Sequence, residues 1–377
     1  MPQTRSAAAA NAGDKHKLDN GAKSPPAKAH KTDDKRQTTL DATITSDKKK
    51  NPQNSKTEDE REDKDKDKGE SEQNGKDSQR KSSHTGEESA VEPHGRNGST
   101  PSSILEKGII YFFFRGRVGI DHPEGVSDLA RSYFILRPIP KDAKLGEGPI
   151  GDAGNSRLIA IPKKTLPQSG RDRWIAFVEK TGASFDQLKE EFLTSNDYET
   201  KTAGTRHTPA ATPIAEGVYA ITTTGRESHL AYLLTLPEKL GEVQTEIGLK
   251  ERGSWILSTR NPQYPPPSNA RLPEGPEFSK EILEEFRSLR WMGTQPKHLI
   301  PKAQFLLVGE SSGIQKAMKP DEKDEKDNKK SDPIEELEEL EHEDIERMEH
   351  LGKDGSDAIF ADLEAQAKGY PKLQTSF

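Results

Sequence analysis

The stretch GIIYFFFRGRVGI, residues 108–120, decides the fold. It opens on an unbroken apolar run, which suits a strand buried on both faces. Alternation at period two puts Tyr111, Phe113, Arg115 and Arg117 on one side and Phe112 and Phe114 on the other. Working outward, shorter runs recur at SYFILR (132–137), RLIAI (157–161), RWIAFVEK (173–180), YETKT (198–202), EGVYAITT (216–223), HLAYLLTL (229–236), SWILST (254–259) and QFLLVG (304–309). Turn residues separate them at intervals that predict an antiparallel barrel or sandwich, and TGRES (224–228) joins two of them as a hairpin.

Helices are few. SFDQLKEEFL (184–193) has Ser184 as cap, Gln187 three residues on, and an apolar stripe of Phe185, Leu188 and Phe192 to lay on the sheet. A second helix is predicted over 278–289, after the proline-rich linker NPQYPPP (261–267), which reads as semi-rigid and extended. A third, SDPIEELEELEHEDIERMEHLG (331–352), has Asp332 as cap, Pro333 at the first helical position and Glu335 at the capping-box position. At about 100° per residue, Ile334, Leu337, Leu340, Ile345, Met348 and Leu351 share a stripe roughly 140° wide, made either for the chain's own domain or for a protein partner. A shorter helix is predicted at 357–368. The fold class is α+β: a mainly antiparallel β barrel or sandwich with two or three packed helices, between a disordered tail and an acidic helical arm.

Composition sets the boundaries. With 32% charged and 29% hydrophobic residues over 377 positions, the chain is too polar for one globule, so its apolar content must be concentrated. It gathers between Ile104 and Val308. The expected organisation is a polyampholyte tail over 1–102, one mainly-β domain over 103–310, a charged linker over 311–330 and the acidic arm over 331–377. Net charges by segment are +1 for 1–102, +1 for 103–310 and −9 for the remainder, so the core is neutral and only the C-terminal part is polarised. There is no cysteine, which removes disulfides, thiolate metal sites and cysteine nucleophiles and suits a reducing compartment. No apolar run approaches the ~18 residues of a membrane span, and the first 30 residues lack a secretory signal, so the expectation is a soluble intracellular protein. In the tail, Lys48, Lys49 and Lys50 suit an import receptor, SPPAK (24–28) resembles a proline-directed phosphorylation site, and RQTTLDATI (36–44) resembles a sliding-clamp peptide that lacks its two aromatics.

The sequence holds no GxxxxGK[ST] phosphate loop, no HExxH and no GxSxG elbow. The polar residues with chemistry to offer inside the core are Arg115, Arg117, Glu199, Arg206, His207, Glu216, Arg226 and His229. Arg115 and Arg117 end an apolar strand, placed either to bind an anion or to snorkel from a rim. AGTRHTPAATP (203–213) reads as a loop in which Arg206 and His207 are the polar side chains. If it folds beside the TGRES hairpin, His207, Glu216 and His229 come together as two imidazoles and a carboxylate, a metal or acid–base group. The alternative is a hydrogen-bond network in which Glu199 or Glu216 holds Arg206.

The blocks EKGIIYFFFRGRVG, RLIAIPKKTLP, YETKTAGTRHTPAATP with EGVYAI, SHLAYLLTLP, SWILSTRNP and AQFLLVGE, in that order over residues 104–310, resemble a conserved uncharacterised family with fungal, plant and prokaryotic members. Some fungal members carry the label "BTB domain transcription factor", although a BTB fold is a helix-rich cluster and this core reads as strand after strand. Relatives typically show Gly where this chain has Ala215, and a second His where it has Glu227. A metal site using both histidines of that hairpin is incomplete here.

The expected function is that of a non-enzymatic, nuclear or nucleocytoplasmic binding protein. Its ligand site would use Arg206, His207, Arg115, Arg117, Glu216 and His229, and Ile334, Leu337, Leu340, Ile345 and Met348 would face a protein partner. The alternatives are a hydrolase or metal-assisted enzyme using His207, Glu216 and His229, and a transcription-associated DNA-binding factor.

Overall fold

In a computed structural model the described residues are 89–96, 100–200, 204–320, 330–351 and 373–377, all within one compact unit, Asn51–Phe377. The sequence features at 24–28, 36–44, 48–50 and 357–368 lie outside them. The chain runs β1 (Val91–Glu92), β2 (Ile104–Gly116), β3 (Leu129–Ile139), β4 (Lys144–Leu145), β5 (Ser156–Ile161) and β6 (Arg173–Ala183). After α1 (Phe185–Leu188), extended by a π-turn over Lys189–Leu193, come β7 (Asn196–Thr200), β8 (Gly204–Thr208), β9 (Ala211–Thr223) and β10 (Ser228–Leu236). Then follow α2 (Glu242–Ile247), β11 (Arg252–Arg260), α3 (Lys280–Glu285), β12 (Trp291–Gly293), β13 (Gln304–Gly309) and α4 (Pro333–Leu351).

Eight of these strands close into a barrel. Its order is β2-β3-β5-β6-β13-β11-β10-β9 and back to β2, with every neighbouring pair antiparallel and β12 added beside β11. Of the two architectures the sequence allowed, the β10–β11 pairing selects the barrel, because it joins the two ends of the sheet. The alternation read in 108–120 holds. Phe112 meets Tyr232 at 5.4 Å and Trp255 at 6.2 Å between ring centroids, and Trp255 stacks on Phe134 at 6.3 Å. β11 is adjacent to neither β2 nor β3, so these rings touch across the lumen, which is filled by side chains, as a barrel of eight strands permits. The indole N–H of Trp255 donates to the Pro167 carbonyl at 2.9 Å. Deeper polar groups pair among themselves: Glu106 accepts from Tyr219 at 2.8 Å and from Arg157 at 2.6 Å.

The outer face of β2 is buried too, which is why its apolar run is unbroken. Ile109, Tyr111 and Phe113 join a second cluster with Phe185, Leu188 and Phe192 of α1 and its extension, and with Leu337 and Leu340 of α4. Ser184 and Gln187 form the expected capping box. α4 begins as read, with Asp332 accepting from the Ile334 N–H at 3.3 Å.

Three boundaries differ from the sequence reading, and one helix is docked where a free arm was expected. Residues 89–96 belong to the fold: β1 pairs with β4, and Arg96 is buried against α4. Ile314, Ala317 and Met318, inside the expected charged linker, pack in the outer cluster. Residues 373–377 reach the end of the barrel at which β2 finishes, where Phe377 lies 6.3 Å from Phe114 and the Gln374 N–H donates to the Pro213 carbonyl at 3.0 Å. Finally, the acidic arm is docked. Leu337, Leu340 and Met348 are buried and Ile334 half-buried, leaving only Ile345 of the expected partner residues exposed, at 37%. The chain's own barrel takes the surface read as available to a partner.

That docking is ionic as well as apolar. Lys107 Nζ lies 2.6 Å from Glu336 Oε1 and donates to the Ala143 carbonyl at 2.8 Å, with both charged side chains 1% exposed. Arg96 reaches Glu336 at 2.9 Å and Glu343 at 3.0 Å. Thr235 donates to Asp344 at 2.7 Å. Burial pushes the Lys107 ammonium below its usual range, against the pull of Glu336, and pushes the Glu343 carboxyl up.

Candidate functional site

Arg206 and His207 lie on a strand, where the sequence predicted a loop. β8 pairs with β7 over Asn196↔Thr208 to Thr200↔Gly204, and the alanine- and proline-rich residues follow it and begin β9. His207 is clasped: Nδ1 is 2.5 Å from Asp197 and Nε2 is 2.9 Å from Asp121, while its carbonyl accepts from the Gly119 N–H at 2.9 Å. The Asp197 hydrogen bond foremost, joined by Asp121, raises the imidazole above its ordinary pKa against the opposing effect of desolvation. The two carboxylates occupy opposite ring nitrogens, so the three groups do not face one point. Among the described residues, no cluster of three His, Asp or Glu side chains is arranged to hold a metal ion. Arg206 is exposed opposite Tyr198, and neither Glu199 nor Glu216 forms an ion pair with it.

The other expected residues scatter. Glu216 is fully buried beneath α4, with Arg347 Nη2 3.6 Å away. His229 is fully buried, its Nδ1 2.9 Å from Glu310 Oε2. Arg226 is exposed on the β9–β10 turn. Glu216 pairs with Leu236 and His229 with Thr222, six residues further along β9, which is about 20 Å. His207 lies before β9 begins. The group of two imidazoles and one carboxylate therefore does not form, because the strand that was to gather the three residues holds them apart along its length. Arg115 does reach the same end of the barrel as His207. It donates to the Phe192 carbonyl and stacks 5.3 Å from that ring, while Arg117 beside it is exposed.

Around His229 the structure builds a buried polar knot. Glu310 Oε2 accepts from Ser254 Oγ at 2.8 Å and faces His229 Nδ1, while Lys316 Nζ lies 2.7 Å from Glu227 and 3.8 Å from Glu310. It contains a hydroxyl, a carboxylate and an imidazole, but in the wrong order for nucleophilic catalysis. The hydroxyl hydrogen-bonds the carboxylate and not the imidazole, and all three groups are buried, so the nucleophile–imidazole contact of a triad is absent.

A cavity with an unused donor lies elsewhere, at the barrel end where β11 finishes and β13 begins, opposite the end carrying Arg115 and His207. There Arg260, Pro262, Pro266, Arg271, Leu272, Glu274, Gly275, Pro276, Lys302 and Gln304 line a cavity of about 200 Å³. Arg260 is 7% exposed. Its Nε donates to Gln304 Oε1 at 2.6 Å and its Nη1 to the carbonyls of Tyr264 at 2.5 Å and Asn261 at 3.4 Å. Every acceptor is neutral. Among the described residues Nη2 has no partner and no carboxylate pairs with the guanidinium, which burial alone shifts below its ordinary pKa. A buried charge is ordinarily paired.

Local sequence explains how the site is held. NPQYPPP is no extended spacer: Asn261 accepts from the Gln263 N–H at 3.0 Å and donates to the Leu289 carbonyl at 3.0 Å, and Tyr264 donates to the Ser288 carbonyl at 2.6 Å. These bonds fold the proline run back over the barrel end. Gln304 Nε2 donates to the Ala270 carbonyl at 2.6 Å and fixes the far wall. Lys302, at φ 67, turns into β13 through the left-handed region and pairs with Glu274. The sequence reading missed Arg260 because an arginine closing an apolar strand looks like one that reaches solvent. Only the proline run behind it hinted at a cover.

No family model, curated protein or solved structure matches this chain. Among the described residues, no helix is long and apolar enough to cross a membrane.

Proposed function

We propose that the chain is a non-enzymatic binding protein whose barrel presents a site for a small anion at Arg260. The observation that carries this reading is the Arg260 guanidinium, 7% exposed, bonded only to neutral oxygens and with Nη2 left over at a cavity. Burying a charge without a counter-charge costs several kcal/mol, and an anionic ligand repays that cost while using the free donors. The imidazoles support a binding module over a catalyst, since both ring nitrogens of His207 face carboxylates and His229 is fully buried. The test is a titration of the full chain with sodium sulfate, phosphate and acetate, followed through the Arg260 Nε–H resonance. At least one anion should shift that resonance to saturation in the wild type, and calorimetry should register no binding of the same anion to Arg260→Met. Three flat titrations would dispose of the reading. A nuclear address through Lys48, Lys49 and Lys50 is part of the same proposal, and is checked by following a fluorescent fusion with and without the three lysines.

A further inference from the structure

Resting on that anion-binding reading, we infer that the Arg260 cavity takes the dianion of a phosphate monoester. Charge comes first. Four ionisable side chains line the cavity: Arg260, Arg271, Lys302 and Glu274. Glu274 is spent on Lys302, whose hydrogen bond holds the carboxyl below its ordinary pKa and keeps it ionised above pH 5. Arg260 and Arg271 have no carboxylate partner among the described residues, so the lining carries two uncompensated positive charges. A carboxylate would balance one of them, and a phosphate monoester in its second ionisation balances both. Its three terminal oxygens also suit two guanidinium groups better than a carboxylate's two do, since Arg260 Nη2 can donate to one oxygen while the Arg271 fork holds a pair on the same tetrahedral centre.

Size and wall chemistry narrow the rest. About 200 Å³ is below the roughly 300–1,000 Å³ of cavities that enclose drug-sized ligands, so the site fits a terminal group with a short body. Pro262, Pro266 and Pro276 have no N–H to offer, and with Leu272 they make an apolar wall. The two arginines therefore supply donors to the lining while the wall favours carbon, which is how a phosphoryl group on a small apolar stem is divided. Lys302, with its left-handed φ of 67, lies on the same lining, and unusual backbone geometry concentrates where a ligand site over-determines it.

The experiment compares inorganic phosphate, methyl phosphate and acetate as probes of the full chain by calorimetry at pH 5 and pH 8. With a second pKa near 6, the dianion fraction of methyl phosphate rises about tenfold over that range, and its affinity should rise by the same factor while that of acetate, already mostly ionised at pH 5, rises less than about twofold. Arg271→Gln, at an exposed position, should bring methyl phosphate at pH 8 down to the level of acetate. Methyl phosphate binding more tightly than inorganic phosphate supports the apolar stem. Acetate binding as well as methyl phosphate at pH 8, with loss of both in Arg260→Met, overturns the phosphate assignment and leaves the anion site standing. No response to any probe removes both. Should Arg260→Met fail to fold, Arg271→Gln alone decides, because an unchanged preference for methyl phosphate in it refutes the two-arginine arrangement.

Discussion

Replacing Glu336 by glutamine keeps the shape of the α4 interface and removes one charge from it. In the native fold Lys107 and Glu336 are each 1% exposed and 2.6 Å apart, and the ammonium has one other partner, the Ala143 carbonyl at 2.8 Å. Glu336→Gln strands that ammonium, while Arg96 keeps Glu343 at 3.0 Å. Removing one partner of a buried ion pair costs about 3–5 kcal/mol. For a folded region of this size each kcal/mol lowers Tm by about 2–4 °C, so the expected fall is about 6–20 °C. Thermal and urea unfolding followed by tryptophan fluorescence would measure it. The double variant Glu336→Gln with Lys107→Met should recover much of the loss, since it removes the stranded charge. The pH dependence has a definite sign. Burial already holds Lys107 below its ordinary 10.5, and without Glu336 its folded-state pKa falls further. The unfolded chain then binds the extra proton, so the deficit of Glu336→Gln should shrink as pH rises through the window below 10.5, leaving only what Arg96 loses with Glu336. A deficit under about 1 kcal/mol, the scale of a surface pair, or one that does not change with pH, would refute the buried pair.

Further tests address the barrel and the clasp. Trp255→Ala empties the centre of the aromatic lumen, where the ring meets Phe112, Phe134 and Tyr232, and should cost about 3–5 kcal/mol in urea unfolding. Gly217→Ala places a methyl 2.1 Å from the Leu233 carbonyl oxygen on the neighbouring strand, so it should abolish soluble folded protein, whereas Gly125→Ala, with open space around it, should leave Tm unchanged. For His207, NMR titration should give a pKa above 6.5, and Asp197→Asn should lower it. Because that folded-state pKa is raised, the contribution of the clasp is complete below 6.5 and is lost as pH rises through the folded value. A titration at or below 6.5 would mean the imidazole is not held between its aspartates.

What was legible and what was not divides on physical lines. Phe112 and Phe114 were assigned to one face and Tyr111 and Phe113 to the other from period two alone, because the pleat makes side-chain direction a local property. The Ser184–Gln187 box and the start of α4 at Asp332 were local in the same way, each satisfied by residues three apart or fewer. The candidate site was different. Arg206 and His207 drew notice through their proline-rich surroundings, yet Asp121, 86 positions from His207, is what closes the clasp. Arg260 stood at the end of a legible strand with nothing to mark its burial, which depends on Gln304, 44 residues away, and on a proline run bent back over it.

The sequence by itself determined the long strands of the barrel, the alternating faces of 108–120, the neutral charge of the core and the apolar stripe of the last helix, because each follows from composition or from neighbours within a turn or a pleat. Only the tertiary structure decided that the sheet closes into a barrel, that the acidic helix spends its stripe on that barrel, and that Arg260 is buried at a cavity without a counter-charge. Those outcomes depend on which distant segments meet, and burial is a property of the meeting and not of the residue.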